Sequence, residues 1–195
     1  MKLIKGDLLE GEWDCAMHCA NVHQTMGSGI AYFLRKKWPI VYEADLIFGE
    51  EDKIFGNHKL GLFSKATVEP GRFVYNLYGQ VGIGNDGTVL DRNCQYDHLY
   101  NAMYRACGDY VTSNVFQDSF IAGIPKNMGC CRAGGSWIIV EAMLKDLELR
   151  YPVEFWVYEF GEETSAQSSH KTLKDISDVF ETSKLVGCDD KMKNK

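Results

Sequence analysis

Two segments of the chain, HCANVHQTMGSGIAYFL (residues 18–34) and GIPKNMGCCRAGGSWIIV (residues 123–140), share one plan: a short strand, a loop of small residues, then a helix. This plan restricts the fold more than any other feature. A strand, a tight glycine turn and a helix pack as a βα unit, and each unit leaves a helix N-terminus, with unpaired backbone N–H groups, at the C-terminal edge of a sheet. Such an end attracts an anion by about 0.3–1 kcal/mol, and by up to about 2 where it is partly buried. Two of them facing one crevice could clamp a diphosphate from both sides. Singly, each loop has a plainer reading, because glycines before a helix also permit a simple tight turn and Ser28 can serve as an N-cap. Neither has the GxxxxGK[ST] phosphate-loop spacing, since no lysine follows the glycines.

The remaining pattern is that of an α/β domain. Residues 2–4 and 14–20 read as strands. In DCAMHCA, Cys15, Met17 and Cys19 share one face and Ala16, His18 and Ala20 the other, which suits a central strand covered on both sides. A helix is expected over 29–38, with Ile30, Phe33, Leu34 and Trp38 inward, Arg35, Lys36 and Lys37 outward, and Pro39 as its stop. A short helix follows over 40–48. Residues 56–80 hold two or three short strands, the clearest being Phe73–Tyr78. A glycine-rich loop, VGIGNDG, then leads into a long helix from about residue 91 to 112, with Leu99, Met103, Ala106, Cys107 and Tyr110 at helical spacing. A strand over 119–124, a helix over 136–149 with Trp137, Val140, Leu144 and Leu147 on one stripe, and a strand over 153–160 complete the domain. In that last strand Val153, Phe155 and Val157 face one way. Residues 161–170 are polar and read as a linker, and 172–186 as one amphipathic helix or a flexible tail.

Charge narrows the ligand class. Twenty-one basic residues against 27 acidic ones give a net charge of −6. No basic patch for a nucleic-acid backbone is visible beyond Arg35-Lys36-Lys37 and the terminal KMKNK, so an anionic ligand would be held by backbone dipoles. No apolar run approaches the roughly 20 residues of a membrane-spanning helix. Charges within the first ten residues are unlike a secretory signal. The expectation is a soluble, cytoplasmic protein. The seven cysteines contain no CxxC pair, so they read as reduced thiols and give no structural zinc spacing.

Taken together, GDLLE (6–10), HCAN followed by MGSGIA, then YNLYGQ, IPKNMGCCRAGGSW and the final VYEF resemble a macro domain. The similarity is closest to the ADP-ribose-1″-phosphate phosphatase branch of yeast and bacteriophages. It covers residues 1–160 and implies a three-layer α/β/α sandwich with a mixed central sheet. It also implies ADP-ribose or ADP-ribose-1″-phosphate as ligand. Asp7 would then accept a hydrogen bond from the adenine amino group, with Leu8 supplying a backbone contact. Asn21 would bind the distal ribose. Met26, Gly27, Ser28, Gly29, Ile30 and Ala31 would form the first diphosphate loop. The second would comprise Gly129, Cys130, Cys131, Arg132, Ala133, Gly134 and Gly135. Phe160 would pack on the adenine, and stacking of this kind is worth about 1–3 kcal/mol. Asp7 could equally cap a turn, and Phe160 could be plain core.

His18 is the candidate acid or base, three residues before Asn21, because imidazole titrates near neutrality. A buried histidine that merely orders its strand is the alternative, and His23 could instead contact the terminal phosphate. Some positions depart from the family. One de-ADP-ribosylating branch uses a lysine on the strand matching YNLYGQ and an aspartate in the second loop, where this chain has Gly79, Gln80 and Ala133. A GGGG-type first loop with a following aspartate is also missing. GCCRAGGSW replaces the usual GCGLAGGDW, so Cys131 would cost conformational freedom if positive φ were needed there. Arg132 could fork onto a phosphate, and Ser136 would keep the N-cap role without the negative charge. The activity this implies is a phosphatase acting on ADP-ribose-1″-phosphate without a cofactor or metal, the loop dipoles standing where charge develops. A non-catalytic ADP-ribose-binding module, or a hydrolase of ADP-ribose esters or protein adducts, is the alternative.

Overall fold

The computed structural model describes residues 1–51, 56–83 and 92–160. The described strands are β1 (Lys2–Lys5), β2 (Cys15–Asn21), β3 (Phe63–Glu69), β4 (Arg72–Gln80), β5 (Phe120–Pro125) and β6 (Val153–Glu159). The helices are α1 (Gly29–Lys37), α2 (Pro39–Glu51), α3 (Tyr96–Ser113) and α4 (Trp137–Arg150), with 3₁₀ turns at Leu8–Glu10 and Gly56–Lys59. The strands form one sheet in the order β1–β6–β5–β2–β4–β3, parallel except for β3, which runs antiparallel to β4. Met1–Glu159 forms one compact unit. Residues 161–195, read from sequence as linker and tail, lie outside the described residues. Among the described residues no helix is long and apolar enough to cross a membrane.

The two faces of β2 belong to two different cores, as its alternation requires. Cys15 and Met17 join Tyr75, Leu77 and Ile124 under α3 and α4, whose buried stripes include Leu99, Met103, Val140 and Leu144. Ala16 joins Leu8, Trp13, Leu34, Val41 and Val74 under α1 and α2. Burying an aliphatic side chain of this size contributes roughly 1.5–3 kcal/mol relative to exposure, so each layer is anchored by several such residues. This is the expected three-layer sandwich with a mixed sheet.

Several local expectations need correction. Pro39 does not just end α1; it is the first residue of α2, where its missing N–H costs nothing, and α2 runs on to Glu51. Phe33 does not face the core but lies 44% exposed, edge-on to Tyr32. The long helix begins at Tyr96 instead of near 91, because Cys94 is drawn into a bridge with Gln80 and Gln95 takes the N-cap. Residues 84–91 of the intervening loop are outside the described residues. Gly56–Lys59 forms a 3₁₀ turn, leaving two strands in the 56–80 segment.

One feature of the register opens the site. β2 pairs with β4 as far as Asn21–Gln80, and β5 pairs with β6 as far as Pro125–Tyr158. Between β2 and β5 the pairing is confined to Cys15–Ala122 and Ala16–Gly123. These adjacent strands therefore part company over their C-terminal halves, and a crevice opens at the edge where parallel α/β sheets bind ligands.

Candidate functional site

Both glycine loops border that crevice. Met26, Ser28, Gly29, Ile30 and Ala31 line it from one side and Gly129, Cys130, Cys131, Arg132 and Ala133 from the other, with His18 and Asn21 also on its wall. Gly27 and Gly134 belong to the same loops without lining the cavity, Asp7 and Leu8 lie at the 3₁₀ turn after β1, and Phe160 directly follows β6.

The first loop is tied by side chains. Asn21 Nδ2 donates to Thr25 Oγ1 at 3.0 Å, and Asn21 Oδ1 accepts from the His23 N–H at 2.9 Å. Gln24 adopts φ +56°, in the left-handed region. Its Nε2 reaches across to the carbonyls of Asp45 and Leu46 in the middle of α2, at 2.6 and 3.0 Å. Ser28 holds the N-cap position of α1 but makes no side-chain cap bond. The amides of Gly29, Ile30 and Ala31 have no acceptor among the described residues, as the first turn of a helix leaves them.

The second loop is tied by its own backbone. Gly135 N–H donates to the Gly129 carbonyl at 3.0 Å, Cys130 N–H to Asn127 at 2.9 Å, and the Ala133 carbonyl accepts from Cys94 N–H at 2.9 Å. Positive φ falls on Gly129 (+71°) and Gly134 (+68°), not on Cys131, so the cysteine carries no such strain. A Cβ on Gly135 would lie 2.5 Å from the Gly129 carbonyl oxygen, so only glycine fits the closed turn. The amides of Cys131, Arg132, Ala133 and Gly134 remain without acceptors among the described residues. Ser136 sits at the N-cap of α4 without a side-chain cap bond, and its N–H is taken by Tyr96 Oη at 2.7 Å.

His18 is fully buried, and its Nε2 lies 2.6 Å from Asn76 Oδ1. Burial pushes its pKa below the ordinary histidine value, outweighing the Asn76 bond and the Cys19 carbonyl, which favour the charged ring. Its Nδ1 is buried without a partner. His23 is exposed. Asp7 caps the 3₁₀ turn, its Oδ1 accepting from Leu9 N–H at 2.8 Å, while Leu8 is buried and Phe160 is 50% exposed.

Sequence reasoning missed several residues on the wall, Asp45, Gln80 and Lys126 among them. Asp45 of α2 is 1% exposed, accepts from Tyr78 Oη at 2.6 Å, and has its pKa raised by burial. An aspartate inside the apolar run PIVYEADLIF was the available signal. Gln80 lines the crevice at the end of β4. Lys126 also lines it, its charge met by Glu159, so the crevice is not free of cationic side chains.

No family model matches the chain. A 17.5 kDa protein from the tk–vs intergenic region of Enterobacteria phage T4 is 28% identical over 150 residues, spanning 74% of this chain and 87% of its own. A crystal structure of a protein from Bacteroides thetaiotaomicron superposes with a TM-score of 0.66 at 25% identity, covering 81% of this chain and 98% of its own. A macrodomain protein from Streptomyces coelicolor gives 0.60 at 23%, covering 82% and 99%. The fold is that of a macrodomain. Thermosipho africanus DarTG, solved in complex with ADP-ribose, matches with a TM-score of 0.61 at 13% identity, over 83% of this chain and 42% of its own. Within this macrodomain fold, the crevice at the parting of β2 and β5 is where the unpartnered loop amides collect.

Proposed function

We propose that the crevice binds ADP-ribose and that the protein hydrolyses the terminal phosphomonoester of ADP-ribose-1″-phosphate. The observation that carries the reading is the convergence of two sets of residues with unpartnered amides, Gly29–Ala31 and Cys131–Ala133, on one crevice of an acidic protein. Fixed N–H dipoles of this kind suit a pyrophosphate, because they need no reorganisation when the anion arrives. Arg132 is exposed on the same wall and free to reach a phosphate. The family resemblance assigns Asp7, Leu8 and Phe160 to the adenine. The ADP-ribose bound to the DarTG relative adds weight to the ligand class.

In this reading water attacks the phosphorus as the bond to the 1″ oxygen breaks. His18 takes one proton from the water and returns it to the departing oxygen, so the products are ADP-ribose and inorganic phosphate. Asn21 orients the distal ribose beside it. A binding module without turnover is the second reading, favoured by the burial of His18 and by Asn21 having both ends of its amide engaged in its own loop. Hydrolysis of esters or protein adducts has less support, since Gly79, Gln80 and Ala133 stand where lysine and aspartate would act.

Calorimetric titration with ADP-ribose tests the ligand, and phosphate release from ADP-ribose-1″-phosphate tests the reaction. His18→Ala should lower turnover by about 10²- to 10⁴-fold, the usual worth of a general base, while sparing affinity. Tight binding with no phosphate released by the wild type selects the binding module, and no binding at all rejects both readings.

A further inference from the structure

Asn76 of β4 is fully buried and paired in register with His18 of β2. Chemistry alone fixes which way its amide points. One end lies 3.0 Å from the backbone carbonyl of Val41 and 2.9 Å from Ser64 Oγ. A carbonyl oxygen only accepts, so this end is the NH₂ group, and the end 2.6 Å from His18 Nε2 is the oxygen. That oxygen also only accepts. The hydrogen between them therefore sits on Nε2. In a neutral ring this leaves Nδ1 as a bare lone pair, and Nδ1 is the atom left buried without a protein partner on a residue that lines the crevice.

We propose that Asn76 is a positioning residue that locks His18 as the Nε2–H tautomer, so that the ring offers the crevice an acceptor that takes a hydroxyl or a water and rejects an anionic oxygen. The inference deepens the proposed function and rests on it only for the identity of the ligand. It assigns the ends of that ligand: phosphate oxygens belong on the loop amides, and a ribose hydroxyl or the attacking water belongs at His18. Asn76 is itself held, because the Ser64 hydroxyl that accepts from it donates in turn to Tyr78 Oη at 3.2 Å, and Tyr78 donates to Asp45.

Several charged groups lie on the elements covering this face. Asp45 of α2 meets Tyr78, and Lys59 of the 3₁₀ turn lies over the rings of Tyr78 and Phe48. Arg35 of α1 covers Tyr42, and Lys37 reaches Glu10 and the Leu9 carbonyl. None of them supplies the hydrogen bond that Nδ1 lacks.

The test is the ¹⁵N spectrum of the imidazole in the full chain, followed with pH and without ligand, beside the pH profile of phosphate release. At pH 7 the wild-type ring should be neutral, with Nε2 protonated and Nδ1 bare. Asn76→Asp places a carboxylate against Nε2 and should raise the ring pKa by about one unit or more. Turnover by this variant should be lowered at pH 7 in proportion to the charged fraction of the ring and return as pH rises through the new pKa. A merely structural loss would lower activity equally at every pH. An Nδ1–H tautomer, a ring charged at pH 7, or an unshifted variant profile overturns the proposal. Should Asn76→Asp fail to fold, the wild-type spectrum decides alone. An Nε2–H ring in a protein that binds no ADP-ribose sinks the proposed function and leaves this inference standing; binding with an Nδ1–H ring does the reverse.

Discussion

The two glycine loops look alike in sequence and are built on different principles. The second is closed by its own main chain, Gly135 to Gly129, with a turn so tight that a Cβ would strike a carbonyl oxygen at 2.5 Å. The first is open around Gly27 and Gly29, where a Cβ would meet nothing within 4 Å. It is held instead by side chains, Asn21 on Thr25 and Gln24 on the middle of α2. Rigidity in one loop is written into backbone geometry, and in the other into a few polar side chains. Substitutions should therefore hurt the loops in different ways, glycine by glycine in the second and side chain by side chain in the first.

The largest effect should come from Gly135→Ala. Overpacking of this kind costs about 1–3 kcal/mol, and relieving it requires the Gly135–Gly129 turn to open. If that cost falls on the bound state, ADP-ribose affinity drops roughly tenfold to a hundredfold, since each 1.4 kcal/mol is tenfold. Calorimetry against the wild type reads it directly. Unchanged affinity would mean that the second loop does not touch the ligand through this turn.

A middle effect is expected from Gln24→Ala. The substitution removes two hydrogen bonds to α2 while leaving an alanine at φ +56°, a conformation that L residues disfavour. Each bond contributes about 0.5–1.5 kcal/mol net, so affinity should fall severalfold and thermal stability modestly. Gln24→Gly separates the two causes, because it loses the bonds and relieves the backbone. If both variants bind as the wild type does, the first loop is not held by Gln24 and the contrast between the loops fails.

The sequence made the βα units, the two-faced β2 and the helix stripes of α3 and α4 legible, because each is a local periodicity. It did not show the parting of β2 and β5, which depends on how two distant strands lose register. Nor did it show Asn76: an asparagine in YNLYGQ reads as one more polar residue until β4 sets it opposite His18. Gln24 and Asp45 likewise take their roles from distant contacts, Gln24 with the α2 backbone 21 residues on and Asp45 with Tyr78 33 residues on. The cysteines read from sequence as reduced thiols, and Cys15 and Cys107 are core residues whose thiols burial pushes up, Cys107 to about 12.

The smallest effect, and the sharpest check on the comparison, is Gly27→Ala. Gly27 is exposed, does not have positive φ, and has open space where a methyl would go. Its N–H donates to the Thr25 carbonyl at 2.9 Å, a bond that alanine keeps. Stability and ADP-ribose affinity should both stay within about 0.5 kcal/mol of the wild type, as for an ordinary surface substitution. Gly29, at φ +58°, is the internal control: alanine there meets no atom either, but takes a left-handed backbone that costs about 1–2 kcal/mol. A first loop in which Gly27→Ala costs as much as Gly135→Ala would be closed by its main chain after all, and the distinction between the loops would be lost. A tolerated Gly27→Ala beside a damaging Gly29→Ala would show that this loop needs one glycine for its φ and none for space.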